Sequence, residues 1–276
     1  MEQAERTERQ GCPWELAFQE RRLVPFLGAG LLPSPGAVPA SLPELASHLA
    51  AKVTPPGRIR NNAYQVAQFI ESRRHRKTLD QLMQAAFAAD AAPAPLYHRL
   101  AALAPPLICT LWYDETMAQA LREAGGSWGQ VQGMSKANRH DGAWFRYVDA
   151  TGQVVDEQTA SLWTTLLYAP LGTARGGAVI SDADFVEVLT EIDIQTPIPA
   201  EVQKRRSGCG FLFLGMSFAD QTQRIFARQI IKRSAGPHGA VLPLDLTRNE
   251  QRFIAQLAIQ PLDGLPDCLG DAVMPG

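Results

Sequence analysis

The sequence is poor in cysteine, in net charge and in long apolar runs, and each shortage removes a class of function. Its four cysteines, Cys12, Cys109, Cys209 and Cys268, form no Cys-x-x-Cys pair and have no histidine pair beside them. Neither a zinc ribbon nor any other metal site is expected. Cys109 and Cys209 lie in apolar, strand-like runs and read as buried thiols. The net charge is −2 and the pI about 6.2, so no basic field exists to hold nucleic acid nonspecifically. The local clusters RRHRK at 73–77 and KRR at 204–206 read as solvated faces. No apolar run approaches the ~20 residues of a membrane span. The opening stretch MEQAERTERQ is charged and lacks the apolar segment of a secretory signal, so a cytoplasmic, reduced protein is expected. Two nucleotide signatures are missing as well. No GxxxxGK[ST] occurs, and no full GxGxxG follows any apolar run.

What is present is a large core and an alternation of strands and helices. Hydrophobic residues make up 46% and charged residues 20%, enough to bury a sizeable interior in 276 residues. Residues 1–22 read as a polar arm leading into an amphipathic helix. Mostly apolar runs at 23–27, 107–112, 164–168, 211–215, 241–246 and 259–262 read as strands. Helices are expected over 41–53, opened by a Ser41–Glu44 capping box, and over 62–72, 77–88, 96–103, 115–124, 181–192, 220–232 and 250–257. Asp114 and Asp220 are placed to cap two of them. Glycines and polar residues over 125–141 read as loop. Alternation at 144–148 and 153–155 about Asp149-Ala150-Thr151-Gly152 reads as a β-hairpin. Apolar strands separated by helices imply a mostly parallel, doubly covered α/β sheet, whose ligands bind beyond the carboxyl ends of the strands.

Three strand ends carry glycine or polar residues: Gly28-Ala29-Gly30 after RLVPFL, Thr110 to Asp114, and Gly215 to Ser217. Glycines at a strand end let the backbone turn tightly and approach a ligand such as a pyrophosphate, or they solve a packing problem. In order, VPFLGAG, ICTLWYDETMAQAL, LLYAPLG, ISDADFVEVL and FLFLGMSFADQTQRIF resemble the bacterial SIR2-like domains, distant relatives of the sirtuins. The most specific segment is the last, with Leu212-Phe213-Leu214-Gly215, Ser217, Asp220 and Arg224 all matching. The resemblance runs from about residue 23 to the C-terminus. It implies a Rossmann-like parallel sheet with a helical insertion at about 54–103 and a small hairpin insertion at about 125–160. It also implies a site for NAD, ADP-ribose or a related nucleotide. Gly28, Ala29 and Gly30 would lie along the pyrophosphate, Thr110, Trp112 and Asp114 at the second strand, and Gly215 and Ser217 near the adenosine ribose. On that assignment, Gly28→Val is expected to abolish nucleotide binding and leave the fold intact.

The sequence departs from that family at three places. Leu31 stands where a serine follows the glycine pair. Trp112 stands where an asparagine positions the nicotinamide ribose and a water, and indole has one donor and no acceptor. Leu171, before Gly172, stands where the catalytic histidine is usual, and leucine moves no proton. Trp112 either stacks on an aromatic ligand or fills the space a nicotinamide would take. His140 and Asp114 are the remaining candidate bases. His140 otherwise reads as a solvated loop residue and His98 as structural, while His48, His75 and His238 have no chemical company. The Ser/Asp pairs 181/182 and 217/220 read as helix caps. A sensor or scaffold that holds a nucleotide without efficient turnover is expected, with a protein partner or a second copy of the chain. The alternatives are an NAD glycohydrolase with a rearranged site and a purely structural interaction protein with a closed pocket. Protein deacetylation is disfavoured, because no paired CxxC zinc ribbon is present.

Overall fold

A computed structural model describes residues 13–138, 143–194, 198–243, 245–266 and 269–270. The arm expected over residues 1–12 and the candidate base His140 lie outside them. The chain enters through α1 (Pro13–Gln19) and β1 (Leu23–Leu27). Four helices follow, α2 (Leu42–Ala50), α3 (Ala63–Arg74), α4 (Arg76–Ala86) and α5 (Pro95–Leu103), before β2 (Leu107–Thr110) and α6 (Thr116–Ala124). Next come β3 (Trp128–Gly133), β4 (Phe145–Asp149), β5 (Val154–Val155), α7 (Glu157–Ser161) and β6 (Thr165–Ala169). The last part alternates: α8 (Asp182–Ile194), α9 (Ala200–Arg206), β7 (Gly210–Leu214), α10 (Gln221–Ile231), β8 (His238–Val241), α11 (Arg248–Gln256) and β9 (Ile259–Leu262).

The nine strands form one sheet in the order β5-β4-β3-β6-β2-β1-β7-β8-β9. All the pairings from β3 to β9 are parallel, and the β3–β4–β5 edge is antiparallel. The fold is α/β, as the strand and helix alternation predicts, with the Rossmann-like sheet that the resemblance implies. Side chains of each central strand feed opposite faces in turn. Val24 and Phe26 of β1 and Phe211 and Phe213 of β7 join one apolar cluster, while Leu23, Leu27, Leu212 and Leu214 join the other. The first cluster takes in α2, α3, α4, α10 and α11, and the second α1, α5 and α6. The β1–β2 register begins at Phe26↔Cys109, one residue past Pro25, which has no N–H to give. Chain order reverses between β1 and β7, which makes their junction the topological switch point.

Several local expectations hold. Ser41 and Asp220 each accept a backbone N–H at the start of α2 and α10. Cys109 and Cys209 are buried free thiols. Others need correction. The stretch read as loop over 125–141 contains β3, a fully buried strand that pairs with β6. The hairpin of β4 and β5 therefore extends the sheet at its edge. The strand expected at 241–246 sits earlier, at 238–241, because Gly239 and Ala240 fit beside Leu212 and Phe213. The KRR cluster is a solvated face only at Lys204. Arg206 is buried and donates to the carbonyls of Gln229 and Ile230 at the end of α10, each at 2.8 Å. Arg205 donates to Pro106, Ala160 and Trp163 carbonyls. Among the described residues no helix is long and apolar enough to cross a membrane.

Candidate functional site

The glycine turns after β1 and β7 meet at the switch point, and they meet each other. Gly28 N–H donates to the Leu214 carbonyl and Gly30 N–H to the Gly215 carbonyl, both at 2.9 Å. A Cβ on Gly28 would sit 2.3 Å from the Gly215 oxygen. Gly215 has φ +64, and a Cβ there would lie 2.6 Å from Leu31 N. The missing side chains thus let two strand–helix turns touch backbone to backbone. Gly28 and Ala29 are buried, whereas Gly30 and Ser217 are exposed. Ser217 N–H is taken by the Gln223 side chain at 2.9 Å, and Asp220 caps α10 through Gln223 N–H.

Beside this junction the two positions that depart from the resembled family are sealed. Trp112 is 3% exposed, and its indole N–H donates to the Pro39 carbonyl at 2.8 Å. Its ring packs on Tyr113 and Phe87, with centroids 5.3 and 6.1 Å away. Leu171 is 3% exposed in the same cluster, together with Leu32, Val38 and Met216. Of the two readings of Trp112, the geometry is that of a space-filling residue. Its one polar hydrogen is already spent on the protein.

Next to these residues, beyond the carboxyl end of β2, lies an open cavity of about 490 Å³. Its wall includes Tyr113, Asp114, Glu115, Thr116, Val38 and Arg175. The volume falls within the range of ~300–1,000 Å³ usual for small-ligand sites. Half-buried Asp114 accepts the Thr116 N–H at 2.8 Å, close to the capping role expected of it. Burial pushes its carboxyl above the ordinary aspartate value, against the opposing hydrogen bonds from Thr116. Arg175 reaches Glu115 at 3.4 Å across the rim. Thr110 is buried at the end of β2, one residue before Leu111 donates to the Leu27 carbonyl at 2.8 Å.

The loop over 170–180 that carries Leu171 is stapled from two sides, and sequence reading missed both staples. Tyr113 O–H donates to the Val179 carbonyl at 2.9 Å, and Ala174 N–H to the Tyr113 carbonyl at 3.0 Å. Burial holds the Tyr113 phenol protonated well above its usual range. From the start of α4, Arg76 reaches Asp184 at 2.7 Å and Asp80 at 2.8 Å and also donates to the Ala178 carbonyl. Its cluster, RRHRK, is a solvated face only in part, because Arg76 is the clamp between α4 and the start of α8. The i,i+4 spacing of Arg76 and Asp80 was the signal available in the sequence.

Gly30, Ser217, Asp114 and Arg175 offer surface or polar atoms. Trp112 and Leu171 offer neither a hydrogen-bond acceptor nor a proton carrier. No group of three or more His, Cys, Asp or Glu that could hold a metal ion occurs among the described residues. A sequence model of the family described as SIR2-like domain matches residues 106–262, more than half of the chain's 276. No curated protein matches the chain.

Proposed function

The chain belongs to the SIR2-like domain family, and from that premise we propose that it binds NAD, ADP-ribose or a related nucleotide and holds it without efficient turnover. It then acts as a sensor or scaffold in bacterial defence or signalling. The observation that carries this reading is the sealing of Trp112 and Leu171. Both are 3% exposed, and the only donor on the Trp112 side chain is bound to Pro39. Losing a general base costs on the order of 10²- to 10⁴-fold in rate, and the water-positioning amide is missing as well. Gly30 and Ser217, exposed at the switch point, and Asp114 at the cavity are the residues assigned to the ligand. Gly28, Ala29, Thr110, Trp112 and Gly215 act by setting the shape around it.

A second reading, a protein with a closed pocket, draws on a different observation. The N–H groups of Gly28 and Gly30, which would face a pyrophosphate, already donate to Leu214 and Gly215. Calorimetric titration with NAD and ADP-ribose, followed by chromatography of the recovered nucleotide, separates the readings. Heat with intact nucleotide supports the holding site. Nicotinamide that accumulates with time and enzyme overturns it in favour of a glycohydrolase using a base such as Asp114. No heat with either nucleotide leaves the closed pocket.

A further inference from the structure

A second cavity, of about 530 Å³, opens between α10 and α11 on the face away from α5 and α6. Three arginines line it: Arg224 and Arg228 from α10 and Arg252 from α11. Arg224 and Arg228 are four residues apart on one helix face, where like charges repel. Nothing on either helix balances them. Helix α10, QTQRIFARQII, has no acidic residue, and the only one in α11 is Glu250. The Glu250 carboxylate is turned back onto Thr247, accepting its N–H at 3.0 Å and its hydroxyl at 2.6 Å. Among the described residues none of the three arginines has a carboxylate partner, and none of those lining the cavity, Leu189 of α8 included, is acidic. Amides complete the wall, including Asn249 and Gln256. Phe253 forms an apolar floor, with the Arg228 guanidinium 5.8 Å from its ring centroid.

The arrangement is preorganised in part. Arg224 is tethered through Nε to the Phe218 carbonyl and through Nη2 to that of Ala219 at 3.4 Å, which leaves Nη1 for another acceptor. Arg228 is held over Phe253, and Arg252 lines the same cavity from the neighbouring helix. We propose that this groove binds a chain of three or more phosphates, longer than the pyrophosphate of NAD or ADP-ribose, independently of the nucleotide site at the switch point. Guanidinium groups suit phosphate because they give paired N–H donors in a plane. Three of them around one cavity match an extended polyanion better than a single monovalent ion. The chemistry is shared by a free oligophosphate and by a phosphodiester backbone.

Titration of the full chain with inorganic tripolyphosphate at low salt tests the proposal, with a short oligothymidylate as the second arm. Saturable binding is expected, weakened by added salt as screening grows. Arg228→Gln and Arg252→Gln are each expected to weaken it by on the order of tenfold, the size of a lost charge-assisted hydrogen bond. Lys52→Gln, an exposed charge elsewhere, controls for net charge and is expected to change nothing. Tighter binding of the oligothymidylate, lost in the same variants, identifies a phosphodiester as the source. No binding of either probe, or binding that Arg252→Gln leaves unchanged, overturns the site. Arg252 is exposed, so its variant stays folded and keeps the test valid if Arg228→Gln does not. NAD titration of Arg252→Gln is expected to match the unaltered chain, which separates failure here from failure of the switch-point reading.

Discussion

Replacing Trp112 by phenylalanine removes one hydrogen bond and one ring while keeping an aromatic group in the cluster. The indole N–H lies 2.8 Å from the Pro39 carbonyl, and both residues are buried. Leaving that carbonyl without its donor costs about 1–3 kcal/mol. Full truncation of a buried Trp costs about 3–5 kcal/mol, so the smaller void left by phenylalanine adds about 1 kcal/mol. The sum, roughly 2–4 kcal/mol, is a large part of a typical stability of ~5–15 kcal/mol but does not exceed it. At about 2–4 °C per kcal/mol for a chain of this size, Tm should fall by roughly 4–16 °C. Trp112→Asn, which installs the amide the family carries at this position, should be worse, because it empties more volume and buries an amide with no partner prepared for it. Thermal unfolding followed by circular dichroism measures both. An unchanged Tm for Trp112→Phe, or an asparagine variant more stable than the phenylalanine one, would refute the sealed floor. The indole would then face an open pocket, where stacking on a ligand is its natural role.

Gly28→Ala should destabilise by about 1–3 kcal/mol through overpacking, because its Cβ would strike the Gly215 oxygen. The paired control Gly57→Ala, with nothing within 4 Å, should be neutral or slightly stabilising in the same denaturant titration. Equal effects at the two positions would contradict the interlocked turns. Arg76→Met should cost about 3–5 kcal/mol by leaving the buried Asp184 carboxylate without its cation, and it should speed amide exchange in residues 171–180. Unaltered exchange there would show that the clamp does not hold the loop. For Asp114 the sign follows from burial. A carboxyl raised above the ordinary 3.8 favours the protonated form in the folded state, so it stabilises at low pH and loses that contribution as pH rises through the raised value. Asp114→Asn, which keeps an acceptor for Thr116 N–H, should therefore raise Tm at pH 7 and lose its advantage near pH 3. An advantage that grows on acidification would reverse the argument.

The parts of the fold that were legible are those where one physical signal dominates. Apolar runs located β1, β2, β6 and β7 because these strands are covered on both faces. Side-chain caps at Ser41 and Asp220 located helix starts because the capping atom and the first turn are adjacent in sequence. Strand β3 was missed for the opposite reason. WGQVQG has two glycines and two glutamines, yet Gln130 and Gln132 are 8% and 5% exposed. They are buried because they satisfy one another at 2.7 Å, and Arg146 of β4 adds a bond to Gln132 at 3.0 Å. Arg205 and Arg206 were misread in the same way, since their acceptors are carbonyls that only the folded chain brings near. Polarity predicts exposure only while a polar group has no internal partner.

The same limit governs the Gly28-Ala29-Gly30 turn. A turn stripped of side chains can admit a ligand or another piece of backbone, and composition is identical in the two cases. What differs is where the N–H groups point, and here those of Gly28 and Gly30 point at the carbonyls ending β7. The expectation that Gly28→Val would remove binding and spare the fold is incompatible with that contact, because any Cβ at this position meets the Gly215 oxygen at 2.3 Å. Loss of binding in such a variant would report the damaged junction as readily as a lost ligand contact. Ser217 does not share this defect. It is exposed, and its N–H bond to the Gln223 side chain survives replacement of its own hydroxyl. Ser217→Ala is therefore the substitution at the switch point whose effect on nucleotide affinity can be read without a concurrent loss of fold.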